Sequence, residues 1–106
     1  MNAVVDVTVA YREKVDPALA LLLRLAEEMH AEETWSESLL AEPVLFGVQA
    51  LTDSGVTLRV SLRTRAGEMF KVRREMYRRV VNAFGEAGIE MGMPHRRVVD
   101  GGAAVD

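Results

Sequence analysis

Two kinds of apolar periodicity alternate along the chain, and their order constrains the fold more than any other feature. A period of two, or a dense run of valines, is typical of a strand, and a period of 3.6 is typical of an amphipathic helix. Strand patterns cover residues 3–11, 44–51, 56–65 and 89–91, and helix patterns cover residues 18–30 and 68–87. The predicted order is therefore strand, helix, strand, strand, helix, strand.

This order predicts an α+β ferredoxin-like sandwich. Each half of the chain supplies one split βαβ unit, and right-handed crossovers then give a four-stranded antiparallel sheet in βαββαβ order. Both helices should cover one face of the sheet, so that the other face is open or is used for assembly. We expect one domain over residues 3–99 and a flexible C-terminal tail over residues 100–106.

Short motifs predict where the elements begin and end. Asp16 and Pro17 suit the N-cap and the first position of the first helix, because the missing N–H of proline would be unpaired there anyway. The segment Asp53–Gly55 predicts a tight turn between the second and third strands, which would form a hairpin. Gly88 should end the second long helix.

Composition excludes several classes of protein. The chain has no cysteine, so a disulfide framework, a thiolate metal site and a cysteine nucleophile are excluded. Its longest apolar run, Ala18–Leu23, is far shorter than the ~18 residues that a membrane-spanning helix needs. The N-terminus lacks the basic and apolar regions of a signal peptide. We therefore expect a soluble cytoplasmic domain.

No arrangement of residues predicts catalysis. The sequence contains no recognised nucleophile, phosphate-binding, dinucleotide-binding or zinc-protease motif, and no nucleophile is paired with a base. His30 stands near Glu27, Glu28 and Glu33, but we favour a histidine at a helix end over a metal ligand. We predict no catalytic residue, no cofactor and no metal, and we do not expect an enzyme.

An RNA-binding sheet, which is a common use of this fold, is not expected here. RNA-binding versions stack bases on aromatic side chains of the two central strands. The corresponding open-face positions carry no aromatic side chain; they are Asp6, Thr8, Thr57, Arg59, Ser61 and Arg63. Asp6 should instead pair across the sheet with Arg59 or Arg63. We expect no nucleic acid partner.

Charge is divided unevenly between the two halves of the chain. Residues 1–58 carry 10 acidic and 3 basic side chains, whereas residues 59–106 carry 6 acidic and 10 basic ones. Halves of opposite sign attract each other either within one fold or between neighbouring copies in a head-to-tail contact. Both interpretations stay open at this point, and we favour the contact within one fold.

Six short segments between Val5 and Val98 are informative when they are taken together in their order along the chain. They are Asp6–Tyr11, Val15–Leu19, Glu42–Val48, Asp53–Val60, Phe84–Met91 and Met93–Arg96. Together they resemble the C-terminal soluble domain of the small-conductance mechanosensitive ion channel (MscS) family. Members of that family commonly have a glutamine where His95 stands, which is a minor departure.

The resemblance implies a role in a membrane channel that opens under tension and releases ions and small osmolytes. Copies of this domain would join in a ring, a heptamer in the best-known members, which encloses a vestibule and filters solutes. The partners would be other copies of the chain, and contact with the membrane would occur only through a transmembrane part that this sequence lacks. We expect a piece excised from the cytoplasmic side of a longer channel, with a natural stand-alone protein as the alternative.

Four residues are candidates for the contact between subunits. Leu21 and Leu23 widen the apolar stripe of the first helix, and Arg74 and Arg78 lie on the basic face of the second long helix. We hypothesise that an acidic surface of one copy meets this basic face on the next copy. The acidic surface comprises Glu27, Glu28, Glu32 and Glu33.

The alternative function is a ferredoxin-like regulatory module that binds a small molecule or a metal at a dimer interface. The sequence gives it little support, because the segment Asp53–Gly55 is better interpreted as a hairpin turn than as a ligand loop. Thermal stabilisation on adding amino acids or divalent ions would favour this alternative.

Overall fold

The computed structural model describes residues 1–92, which form three strands and three helices. The strands are β1 (Asn2–Val9), β2 (Val44–Leu51) and β3 (Val56–Arg63). The helices are α1 (Val15–Ala31), the single turn α2 (Glu33–Ser36) and α3 (Met69–Glu86). The predicted tail over residues 100–106, and His95, lie outside the described residues.

The described residues form a three-stranded antiparallel sheet, in the order β1–β3–β2, so the prediction of four strands is not confirmed. Residues 89–91 form only an isolated bridge, between Met91 and Val9, on the free side of β1. The amide of Ala10 donates to the carbonyl of Glu90 at 2.9 Å, and the amide of Gly92 donates to Thr8 at 2.8 Å. This position beside β1 is the one that a fourth ferredoxin-like strand occupies, and the arrangement is compatible with that fold.

The core lies between the sheet and the two long helices. Alternate residues of β1 and β3 point into it, because the side chains of a strand alternate between its two faces. These eight buried residues are Ala3, Val5, Val7, Val9, Val56, Leu58, Val60 and Leu62. The largest fully buried side chain, Phe84, comes from the last turn of α3, where it packs with the apolar face that the sequence predicted. α1 contacts β3 and β2, whereas α3 contacts β1.

The start of α1 differs from the prediction. The helix begins at Val15 with Lys14 at the N-cap, and no side chain caps it. Asp16 is therefore not the N-cap but a residue of the first turn, where its carboxylate faces the positive end of the helix dipole. Pro17 fits this register too, because the first four N–H groups of a helix have no partner within it.

The hairpin turn between β2 and β3 depends on a glycine. Gly55 is buried with φ +148°, a conformation that residues with a side chain rarely adopt. A Cβ atom at this position would collide with the backbone carbonyl of Val9. The predicted turn at Asp53–Gly55 is thus confirmed, and β1 packs directly against it.

Candidate functional site

Potential metal ligands do not cluster in the part of the chain that the structure describes. Residues 1–92 hold no group of three or more His, Cys, Asp or Glu side chains that could bind a metal ion. His30 is half-buried in the last turn of α1. In the same part of the chain, no helix has both the length and the apolar character needed to cross a bilayer. The features that remain are ion-pair networks and exposed surfaces.

Arg79 joins the two long helices. Its guanidinium donates two hydrogen bonds of 2.7 Å to the carboxylate of Glu32, just after α1, and a third of 2.7 Å to Glu75, one turn earlier in α3. Arg78 donates to the same Glu75 carboxylate at 3.0 and 2.9 Å. The side chains of Arg79 and Glu75 are only 14% and 18% exposed, so water screens this pair less than a surface pair. One residue of the acidic surface, Glu32, therefore contacts the basic helix within one chain.

This network holds its charges fixed near neutral pH. The hydrogen bonds from Arg78 and then Arg79 lower the pKa of Glu75 to about 2. The bond from Arg79 lowers the pKa of Glu32, and the two carboxylates raise the pKa of Arg79. A general acid or base needs a pKa near the working pH. A cleft of about 310 Å³ lies beside this network, between α1 and α3, and is lined in part by Glu32 and Arg79. The shifted pKa values of these two side chains do not suit acid–base chemistry.

A second polar cluster ties the loop after α2 to the start of α3. The Ser38 hydroxyl donates to the Glu68 carboxylate at 2.7 Å, and the ammonium group of Lys71 lies 2.9 Å from the same carboxylate. The Lys71 ammonium also lies 5.5 Å from the centre of the Trp35 ring. The pKa of Glu68 is lowered, first by Lys71 and then by Ser38. Every polar group in this cluster has a partner within the fold, so its role is to position α3.

The open face of the sheet is neutralised by a cross-strand pair. Arg59 donates to both carboxylate oxygens of Asp6, at 2.8 and 3.0 Å, which confirms that Asp6 pairs with one of the two predicted arginines. This contact lowers the pKa of Asp6. The hydroxyls of Thr8 and Thr57 lie 3.0 Å apart beside it. Because Arg59 is already bound to a carboxylate, it is not free to bind phosphate.

The four predicted interface residues lie in different surroundings. Leu21 is 8% exposed and belongs to the core cluster, so it has little surface to offer a second copy. Leu23 is half-buried, Arg74 is exposed, and Arg78 is exposed but bound to Glu75. Among residues 1–92, Arg74 forms no ion pair. The structure contains one chain, so an interface role for these residues remains a prediction.

Two exposed apolar surfaces were missed by the sequence interpretation. The first, the β2 flank, is the exposed edge of β2 and consists of Val44, Phe46, Val48 and Leu51, whose exposure ranges from 46% to 71%. Val44 pairs with Ser61 and so lies on the open face of the sheet, whereas Val48 and Leu51 pair with Leu58 and Val56 and so lie on the helix-covered face. The second, the α3 flank, consists of Phe70, Tyr77 and Val81, together with Arg74 between them. The apolar run of β2 is typical of a buried strand, and only the strand order reveals that β2 is at an edge. The signal for the α3 flank was its spacing at i, i+7 and i+11, which lies outside the core-facing stripe.

Comparison with known families gives one match. The family model described as the C-terminal domain of the mechanosensitive ion channel MscS matches residues 3–91. This range covers nearly all of the described fold, from the start of β1 to the bridge at Met91. No curated protein matches the chain in a sequence comparison.

Proposed function

The chain belongs to the family of the C-terminal domain of the mechanosensitive ion channel MscS, and from this membership we propose that it is the cytoplasmic vestibule domain of such a channel. It contributes to a ring of identical subunits on the cytoplasmic side of the membrane and helps to filter solutes. The full-length channel releases ions and small osmolytes when the membrane is under tension.

The observation that carries this proposal is the extent of the family match. Residues 3–91 coincide with a complete two-layer unit that has its own core, so the match covers a folded domain and not an isolated motif. The proposed role is passive, because the carboxylates of the two polar clusters are bound to basic side chains of the same chain. A wall domain needs stable surfaces and no reacting group.

The proposal is tested by domain replacement. Residues 3–91 replace the corresponding domain of a well-characterised channel of the same family, and the chimera is expressed in cells that lack their own mechanosensitive channels. We expect the chimera to purify as a closed oligomer, to give tension-activated currents in membrane patches, and to protect the cells from lysis after a sudden drop in external osmolarity.

The control is the same channel with its C-terminal domain deleted. If the chimera reaches the membrane but protects the cells no better than this control, and its subunits do not form the oligomer, the proposed function is wrong. A hydrolytic or ligand-dependent activity of the purified 106-residue chain would contradict the passive role separately.

A further inference from the structure

We infer that the β2 flank of one copy packs against the α3 flank of the next copy, and that this contact repeats head to tail around the ring. The inference rests on the proposed function, since a channel of this family supplies the neighbouring copies. It names the surfaces by which they meet. Each flank exposes several large apolar side chains close together, and contiguous exposed apolar patches mark sites of interaction.

The α3 flank is the side of the helix that faces away from α1. At 100° per residue, Phe70, Tyr77 and Val81 lie within one narrow sector. The opposite side carries Arg79, which binds Glu32 and so faces α1. The guanidinium of Arg73 lies over the Phe70 ring, 5.5 Å from its centre, and holds that ring at the surface.

The part of the β2 flank on the helix-covered side of the sheet forms a shelf that the helical layer leaves uncovered. Val48 and Leu51 pair with Leu58 and Val56, whose side chains are buried beneath the helices. Val48 and Leu51 therefore belong to the helix-covered side of the sheet, yet they are 46% and 71% exposed. The helices therefore leave this edge of the sheet exposed.

The two flanks lie on opposite sides of the molecule. α1 packs over β3 and β2, and α3 packs over β1, so the α3 flank is at the β1 side and the β2 flank is at the other edge. Two different patches on opposite sides of a chain are both buried only when each copy contacts the next through a heterologous interface. Such an interface closes into a ring or continues as a filament. A two-fold dimer would cover one patch and leave the other exposed.

The two flanks also match along their length. α3 starts after β3 at the end of the sheet where Val44 pairs with Ser61, and it runs towards the other end, where Met91 bridges to Val9 and Leu51 pairs with Val56. Copies related by an axis parallel to the strands would therefore bring Val81 to the end of β2 that carries Leu51, and Phe70 to the end at which β2 begins. The stripe from Phe70 to Val81 spans ~16 Å and the strand ~23 Å, so one covers most of the other.

Charge supports the same pairing. Arg74 lies within the α3 flank near its Phe70 end, and Glu42 is exposed two residues before β2, at the matching end of the shelf. Among residues 1–92, neither side chain forms an ion pair. Contact between neighbouring copies would bring these opposite charges together at the rim of an apolar interface, which is the usual arrangement.

Cysteine cross-linking tests the pairing, and the absence of native cysteine makes the experiment clean. The double variant Leu51→Cys with Val81→Cys is prepared in the full 106-residue chain and oxidised mildly over a series of concentrations. We expect a ladder of covalent oligomers that vanishes on reduction. Each single variant should give no ladder, because position 51 meets position 81 of the neighbour and not its own copy.

The matched control is Leu51→Cys with Arg24→Cys, which places the second thiol on the exposed outer side of α1. Only background dimers should form. A ladder from this control equal to that of the test pair, or efficient dimers from either single variant, would overturn the inference, and so would no ladder at any concentration.

A second readout separates this inference from the proposed function. The cysteine pair is also placed in a cysteine-free form of the channel chimera, whose oligomeric mass is measured independently. If the chimera assembles and conducts but positions 51 and 81 do not cross-link, the assigned flanks are wrong and the channel role stands. If the chimera neither assembles nor conducts, the channel role fails, whatever the cross-linking of the isolated chain.

Discussion

Arg79 binds Glu32, which lies 47 positions earlier in the chain, as well as the nearby Glu75. Only one of these two partners could be predicted from the sequence. Glu75 lies four residues earlier on the same helix, a spacing at which opposite charges attract. Glu32 becomes its partner only because α1 and α3 pack side by side. The basic residues of α3 are therefore partly used within the chain, and Arg74 is left as the exposed cation of the α3 flank.

The pH dependence of stability should follow Glu75. Its pKa is about 2 in the folded protein against a usual 4.5, so its stabilising effect is complete above about pH 4.5 and is lost as the pH falls towards 2. We expect Glu75→Gln to lower the free energy of unfolding at neutral pH by ~1–3 kcal/mol and to flatten its decline between about pH 5 and pH 2. Urea denaturation at a series of pH values measures both effects.

Glu27→Gln is the matched control for this variant. Glu27 is exposed and, within the described residues, takes part in no ion pair, so the substitution should change stability by less than ~0.5 kcal/mol. If the two variants show the same stability and the same pH profile, the network around Arg79 does not stabilise the fold.

α3 has two apolar sides with different roles. One side buries Val72, Met76, Val80 and Phe84 against the sheet and α1. The other side exposes Phe70, Tyr77 and Val81. A helix with apolar residues on two sides is expected to have two partners, and the described residues supply only one of them. The edge strand β2 has the same character, because its residues beyond the helical layer remain exposed.

Substitutions on the two sides of α3 should separate folding from assembly. Phe84→Ala removes the largest buried side chain and should lower the free energy of unfolding by ~3–5 kcal/mol. Val81→Ala, three residues earlier and 63% exposed, should change it by less than ~0.5 kcal/mol. Chemical denaturation of both variants at low concentration gives the comparison. A loss of several kcal/mol for Val81→Ala would mean that this side belongs to the core.

At the scale of the molecule, residues 1–92 form a two-layer unit whose two edges are unlike. One edge ends in the β2 shelf, and the other ends in the α3 flank above β1. Such a unit is suited to a closed ring, in which every copy gives one edge and receives the other. Weak surface ion pairs alone would not hold a ring, since each contributes only about 0–1 kcal/mol, so the apolar flanks should supply most of the stability.

A charge placed in one flank should prevent self-assembly, and a mixture of the two blocked variants should assemble no further than heterodimers. Leu51→Glu introduces a charge into the β2 shelf, and Val81→Glu introduces one into the α3 flank. Each variant alone should stay monomeric where the unmodified chain associates, because burying an unpaired charge is costly. An equimolar mixture retains one intact pair of flanks and should form heterodimers and nothing larger. Native mass spectrometry distinguishes these species, and larger assemblies in the mixture would contradict the head-to-tail arrangement.

The sequence by itself determined the order of the first three strands and the two long helices, and the core-facing sides of β1, β3 and both helices. β2 occupies the predicted residues 44–51, and the apolar stripe of α3 is buried as its spacing indicated, because periodicity is a local property of the chain. The same reasoning predicted that Asp6 pairs across the sheet with Arg59 or Arg63, and the register of β1 and β3 selected Arg59.

Only the tertiary structure decided which apolar residues are covered. Leu21 and Leu23 looked equivalent in the sequence, but Leu21 is buried in the core and Leu23 is only half-buried. Within residues 1–92, the predicted fourth strand is present only as the bridge between Met91 and Val9, next to which the amide of Gly92 donates to Thr8. Burial and pairing depend on neighbours that are distant along the chain, and local periodicity carries no information about them.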